Sequence, residues 1–111
     1  MIEVNYKKKG GVYTFSCTGV AEDPYGACAS ILVIALDSRL RMLATDGVVE
    51  IRRHASSERG AYFVEFSATG DNGDQKDKIA QAVVDTVMHG FTYLTAHYPE
   101  HVKLNAEVEQ A

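Results

Sequence analysis

Cys28 is the residue best set for covalent chemistry. It opens the apolar part of the stretch Gly19 to Leu36, GVAEDPYGACASILVIAL. Asp23-Pro24 just ahead reads as an N-cap and a first helical residue, because proline lacks the N–H that this position leaves unpaired. Cys28 then lies about one turn into a helix, near free backbone N–H groups and the positive end of the helix dipole. Both favour a thiolate over a thiol. A thiol nucleophile also needs a base, usually an imidazole. The chain has four histidines, His54, His89, His97 and His101. None is near Cys28 in sequence, so any pairing must come from the fold, and His54 is the candidate. The bland alternative is that Cys28 is a small buried residue, the commoner state of a free cysteine, and His54 an ordinary loop histidine. His97 and His101 are separated by Pro99, which spoils the helical spacing a metal pair would need. Cys17, in an alternating segment, reads as a strand core residue.

The elements that must position these groups follow from hydrophobic periodicity. Residues 2–6 and 12–18 alternate as two strands of a hairpin around Lys7-Lys8-Lys9-Gly10-Gly11. Residues 25–44 carry a helical stripe of Cys28, Leu32, Ala35, Leu36, Leu40 and Leu43. Ile31, Val33 and Ile34 widen it beyond one face, as expected of a helix that is nearly surrounded or used in an interface. Asp46-Gly47 ends it. Residues 48–53 form a third strand, the segment from His54 to Gly60 reads as a polar loop, and residues 61–68 form a fourth strand. Phe63 falls on the polar side of that strand, a hint of a partner surface. Residues 69–74 are a loop, with Asp74 as the cap of a second helix running to about Tyr98. Its stripe is Ile79, Val83, Val87, Phe91, Leu94 and Tyr98, and Gly90 inside it marks close packing against a neighbour. Val102 to Glu109 alternate as an edge-like fifth strand. The order ββαββα(β) predicts one α/β (α+β) two-layer sandwich, with a mostly antiparallel or mixed sheet and two helices.

Composition narrows the function. The chain has 111 residues and a formal net charge of −4, the scale of one domain spanning 1–111. An acidic balance disfavours general attraction to nucleic acid, and Arg39, Arg41, Arg52 and Arg53 are the residues that could gather as a basic surface. No apolar run is long enough to span a bilayer. The first residues do not read as a signal peptide, so a cytoplasmic setting with free thiols is the expectation. There is no CxxC pair for zinc. Gly70 to Asp77 lacks the ligand pattern of a calcium loop, so no cofactor is implied.

The N-terminal Ile2-Glu3-Val4 strand, the turn before Cys28-Ala29-Ser30, the element order and the ending Phe91-Thr-Tyr-Leu94-Thr-Ala-His-Tyr98-Pro99 together resemble the bacterial ribosomal-processing cysteine proteases, the Prp family. That resemblance implies a small α/β sandwich, a homodimer, and a His–Cys endopeptidase. Its substrate would be the N-terminal segment of a ribosomal or phage structural protein. The cysteine carries over as Cys28. The family's Gly-His-Ala stands here as Gly19-Val20-Ala21, and Val20 cannot accept a proton. A catalytic reading therefore assigns Cys28 as nucleophile with a displaced His54 as base, and backbone N–H groups from Gly26 to Cys28 as the oxyanion donors. The alternative reading is a catalytically inactive peptide- or protein-binding relative on the same fold.

Overall fold

The computed structural model describes residues 1–57, 61–68 and 73–108. Alternation on three strands fixes the architecture. Ile2, Val4 and Tyr6 of β1 (Ile2–Lys9), Tyr13, Phe15 and Cys17 of β2 (Val12–Gly19), and Tyr62, Val64 and Phe66 of β4 (Tyr62–Ala68) are all buried on one face. The alternate residues lie on the other face, which no helix among the described residues covers. Helices α1 (Tyr25–Thr45) and α2 (Gly73–His97) pack against the apolar face and against each other. With β3 (Val49–Ser56) and β5 (Val102–Val108) at the edges, the five-stranded sheet has the order β3-β4-β2-β1-β5. All pairs are antiparallel except β1 with β5, which run parallel with Ile2 opposite Val102. The expected two-layer mixed sandwich is the observed one.

Several local expectations change. The β1–β2 turn is confined to Gly10-Gly11, with φ of 58° and 76°, so the three lysines belong to β1. Lys8 is held at the hairpin tip: its Nζ donates to Asp77 at 3.0 Å and Gln81 at 2.9 Å and lies over the Tyr13 ring. Asp77 also accepts from the Tyr13 hydroxyl at 2.6 Å, so one carboxylate ties the hairpin tip to α2. Helix α2 begins at Gly73, which places Asp74 in its first turn rather than at its cap. Most of the predicted 69–74 loop, at 69–72, lies outside the described residues, as do 58–60 of the predicted polar loop.

Both helices are rotated slightly from the predicted stripes. In α1 the buried positions are Ala29, Leu36, Leu40 and Leu43, while Cys28 is exposed and Ile31 and Ile34 are 66% and 65% exposed. In α2 they are Ala80, Val84, Val87, Met88, Phe91 and Leu94, and Ile79 is exposed. Apolar residues all round α1 leave its phase undecided in the sequence, and packing chooses the smaller Ala29 for the crowded side. Gly90 behaves as its type suggests. A Cβ there would come within 2.7 Å of Leu32 Cδ2, so α1 and α2 touch at this point. Gly90→Val is expected to lower stability by about 1–3 kcal/mol through overpacking. Urea unfolding of the two proteins measures the difference.

Candidate functional site

A groove of about 690 Å³ runs along one side of α1. Gly26, Ser30, Val33, Ile34, Asp37 and Arg41 line its helical wall. These positions recur every three or four residues and therefore share a helix face. The opposite wall comes from the ends of the strands: Ile2, Cys17, Gly19, His54, Ser56 and Tyr62. Val20, Ala21 and Asp23 close one end. Gly19 makes that corner. It sits at φ 97°, and a Cβ on it would collide with the Met1 carbonyl.

A polar cluster occupies the groove at Asp37. One carboxylate oxygen accepts from the Tyr62 hydroxyl at 2.8 Å and lies 3.0 Å from His54 Nε2. The other accepts from Arg41 Nε at 2.9 Å. Burial pushes the Asp37 carboxyl up, but the bonds from Arg41, Tyr62 and His54 outweigh it and hold the group below the ordinary carboxylate range. The Tyr62 hydroxyl is pushed up, first by burial and then by Asp37.

His54 reaches this cluster through a β-bulge. Val49 pairs with Ala68 and Ile51 with Phe66, after which Arg53 pairs with Glu65 and His54 with Val64. One extra residue, Arg52, shifts the parity of the strand. Unbroken alternation would send Arg53 inward and His54 outward. The bulge instead aims His54 at the helix side, while Arg53 goes to the uncovered face and lies over Phe63 at 5.0 Å. His54 is thus a strand residue, not part of a polar loop, and Phe63 is shielded by its own neighbour. Arg41 and Arg53 end on opposite faces, so these two do not join in one basic surface.

Cys28 stands elsewhere. It is exposed and absent from the groove lining. Nine residues separate it from Asp37, which at about 100° per residue places the two on opposite sides of α1, and roughly 13 Å apart along its axis. Among the described residues no hydrogen bond joins Cys28 to a histidine. The structure brings His54 into the groove and does not bring Cys28 to it. The expected cap is also different. Pro24 is the N-cap, and its ring has no acceptor with which to cap; the Glu22 carbonyl takes the N–H groups of Tyr25 at 3.0 Å and Gly26 at 3.2 Å instead. Cys28 N–H donates to the Pro24 carbonyl at 3.0 Å. Gly26 and Cys28 therefore have no spare N–H for an oxyanion. The cysteine that does line the groove is Cys17, which is 5% exposed, and burial pushes its thiol up to about 11. It is a neutral, apolar floor at physiological pH. His101 stacks on Tyr25 at 4.0 Å, beside Tyr98.

Sequence reasoning missed Asp37, Arg41 and Tyr62 as site residues. Asp37 and Arg41 are four apart on a helix, a signal that usually means a surface pair.

A single-sided, five-stranded mixed sheet under two helices, with a groove between the first helix and the strand ends, is the class of fold seen here. No protein-family model matches the sequence, and no curated protein does. Solved structures do. SMU.848 from Streptococcus mutans matches with 20% identity and a TM-score of 0.68, over 98% of this protein and 99% of that one. The ribosomal processing protease Prp from Staphylococcus aureus, solved with a substrate peptide, matches with 18% identity and a TM-score of 0.68, over 96% and 99%. The same protease with a covalently linked product peptide gives 18% and 0.69. The protein has the Prp fold over nearly its whole length.

Two expected outcomes follow from the site. In folded protein, iodoacetamide labels Cys28 well before Cys17, and Cys17 labels only on unfolding; peptide-resolved mass spectrometry reads both. Asp37→Asn lowers stability at pH 7. Because the folded carboxyl titrates below its unfolded value of about 3.9, Asp37 contributes fully above that value. Its contribution fades as pH falls through the folded one. Urea unfolding of wild type and variant should therefore converge in acid.

Proposed function

We propose that this protein is a peptide-binding relative of the Prp proteases that holds an extended segment in the α1 groove without cutting it. The single observation that carries this reading is the placement of the two chemical groups. His54 is engaged by Asp37 in the groove, while Cys28 faces away from it on the far side of α1. A thiol can attack a bound carbonyl only if it lies within contact distance of it and of its base. Val20 at the groove's end, in place of the family's histidine, supports the same conclusion, and so does the neutral thiol of Cys17.

The groove suits a peptide. From Gly26 to Arg41 the helix rises about 22 Å, which matches roughly six or seven residues in extended conformation. Apolar lining from Ile2, Cys17, Ala29 and Val33 takes side chains in the middle, and polar groups stand at both ends. The Prp structure with a substrate peptide is a complex of a protein of the same fold. By that likeness the bound segment belongs to a ribosomal or phage structural protein. In this reading the protein works in the cytoplasm, and a second copy covers exposed Ile31 and Met42, outside the groove, as a homodimer.

The test is a set of peptides tiled across ribosomal and phage capsid proteins, screened by fluorescence anisotropy and then incubated for a day before mass spectrometry. The expected result is binding that Ser30→Trp abolishes by filling the groove, with every peptide recovered intact. Turnover that disappears in Cys28→Ala would reverse the reading and restore the endopeptidase, with Cys28 as nucleophile.

A further inference from the structure

The Asp37 cluster has more hydrogen-bond donors than it can use. Arg41 carries five N–H donors, and Tyr62 and His54 add theirs. The only anionic acceptor facing them, among the described residues, is the Asp37 carboxylate. Arg41 Nε takes one of its oxygens at 2.9 Å, and Tyr62 and His54 share the other. Arg41 Nη2 is left 3.3 Å from His54 Nε2, the same nitrogen that lies 3.0 Å from Asp37. That nitrogen has one position to offer, either a hydrogen or a lone pair. If it donates to Asp37 it cannot accept from Arg41, and if it accepts from Arg41 its lone pair faces the carboxylate. The three groups cannot all be satisfied among themselves.

Arg41 is fixed in spite of this. Asp37 grips its Nε, yet its side chain is 60% exposed, and no described residue takes Nη1. A guanidinium held by one edge with its outer N–H groups open is shaped for a planar two-oxygen acceptor. The other end of the groove differs, with Asp23 in the lining and Glu22 just before it. The groove is therefore polarised along its length.

We propose that Arg41, positioned by Asp37, seats a carboxylate of the bound peptide and so fixes the direction in which the peptide lies. This rests on the peptide-binding reading of the same groove. The carboxylate is either an Asp or Glu side group or the peptide's own C-terminus. Arg41 is the specificity-determining group, and Asp37 and His54 are positioning residues that act through it.

The experiment has two parts. The first titrates N-acetylglutamate α-amide, at millimolar concentration, into full-length ¹⁵N-labelled protein and follows the Arg41 Nε–H and His54 ring resonances. N-acetylglutamine α-amide is the control. The seat predicts saturable shifts with the glutamate compound alone, absent in Arg41→Gln. No difference between the two compounds overturns it. The second part uses four peptides on an Ala-Val-Ala-Val-Ala-X scaffold labelled at the N-terminus. X is Glu or Gln, each with an amidated or a free C-terminus. At least a tenfold preference for a carboxylate is expected, lost in Arg41→Gln and only partly restored by Arg41→Lys, which supplies charge without the fork. Preference for Glu-amide over Gln-amide marks a side-group source; preference for free Gln over Gln-amide marks a C-terminal one. Equal binding by all four, or a preference that survives in Arg41→Gln, overturns the seat. If the small glutamate compound shifts Arg41 while no peptide binds, the carboxylate seat stands and the peptide-binding reading falls.

Discussion

A sheet covered on one face only must take its whole core from that face, and this constraint organises the molecule. The strands at the centre, β1, β2 and β4, send Tyr6, Tyr13, Phe15, Tyr62, Val64 and Phe66 to the same side. Two helices are enough to cover them, provided that α1 and α2 meet closely, which Gly90 against Leu32 allows. Stacked and tilted ring pairs such as Tyr13 with Phe66 and Phe15 with Phe91 fill the layer between. Large aromatic side chains bury much apolar area per residue, which matters in a protein of this size. Where the helix layer stops short, beside α1 from Gly26 to Arg41, the strand ends remain open and the groove exists.

The site depends on one irregularity within that plan. Strand alternation is a rule of parity, and the extra residue at Arg52 reverses it for the rest of β3. Because of it an imidazole faces Asp37 and a guanidinium faces Glu65, rather than the reverse. Asp37 then ties the middle of α1 to two strands at once through His54 and Tyr62. A second carboxylate, Asp77, does the same for α2 and the hairpin tip through Lys8 and Tyr13. Each of these half-exposed acids is a short polar clasp between layers that are otherwise held by apolar contact.

The sequence made the fold legible because its strongest signal, alternation on strands β1, β2 and β4, is also the one that builds the core. Element order, the hairpin, the helix bounds and the role of Gly90 all follow from local chemistry. The site was less legible for physical reasons. Cys28 looked inward only because α1 is apolar on too many faces for periodicity to set its rotation. Asp23-Pro24 looked like a cap because a capping side group and a backbone turn satisfy the same donors, and only the fold shows that the Glu22 carbonyl takes that role. His54 looked like a loop residue because a bulge leaves no mark in composition. Asp37 and Arg41 looked like a surface pair because their partners, His54 and Tyr62, come from strands further along the sequence.

The parallel pairing of β5 with β1 sets an order of events as the polypeptide emerges. β1 is made first and can close its hairpin with β2 at once. Its other edge stays bare until every later element, both helices included, has been made and α2 has delivered Val102 to its place opposite Ile2. Until β5 is made, then, the nascent hairpin carries an open row of backbone donors and acceptors, and β5 alone closes that edge.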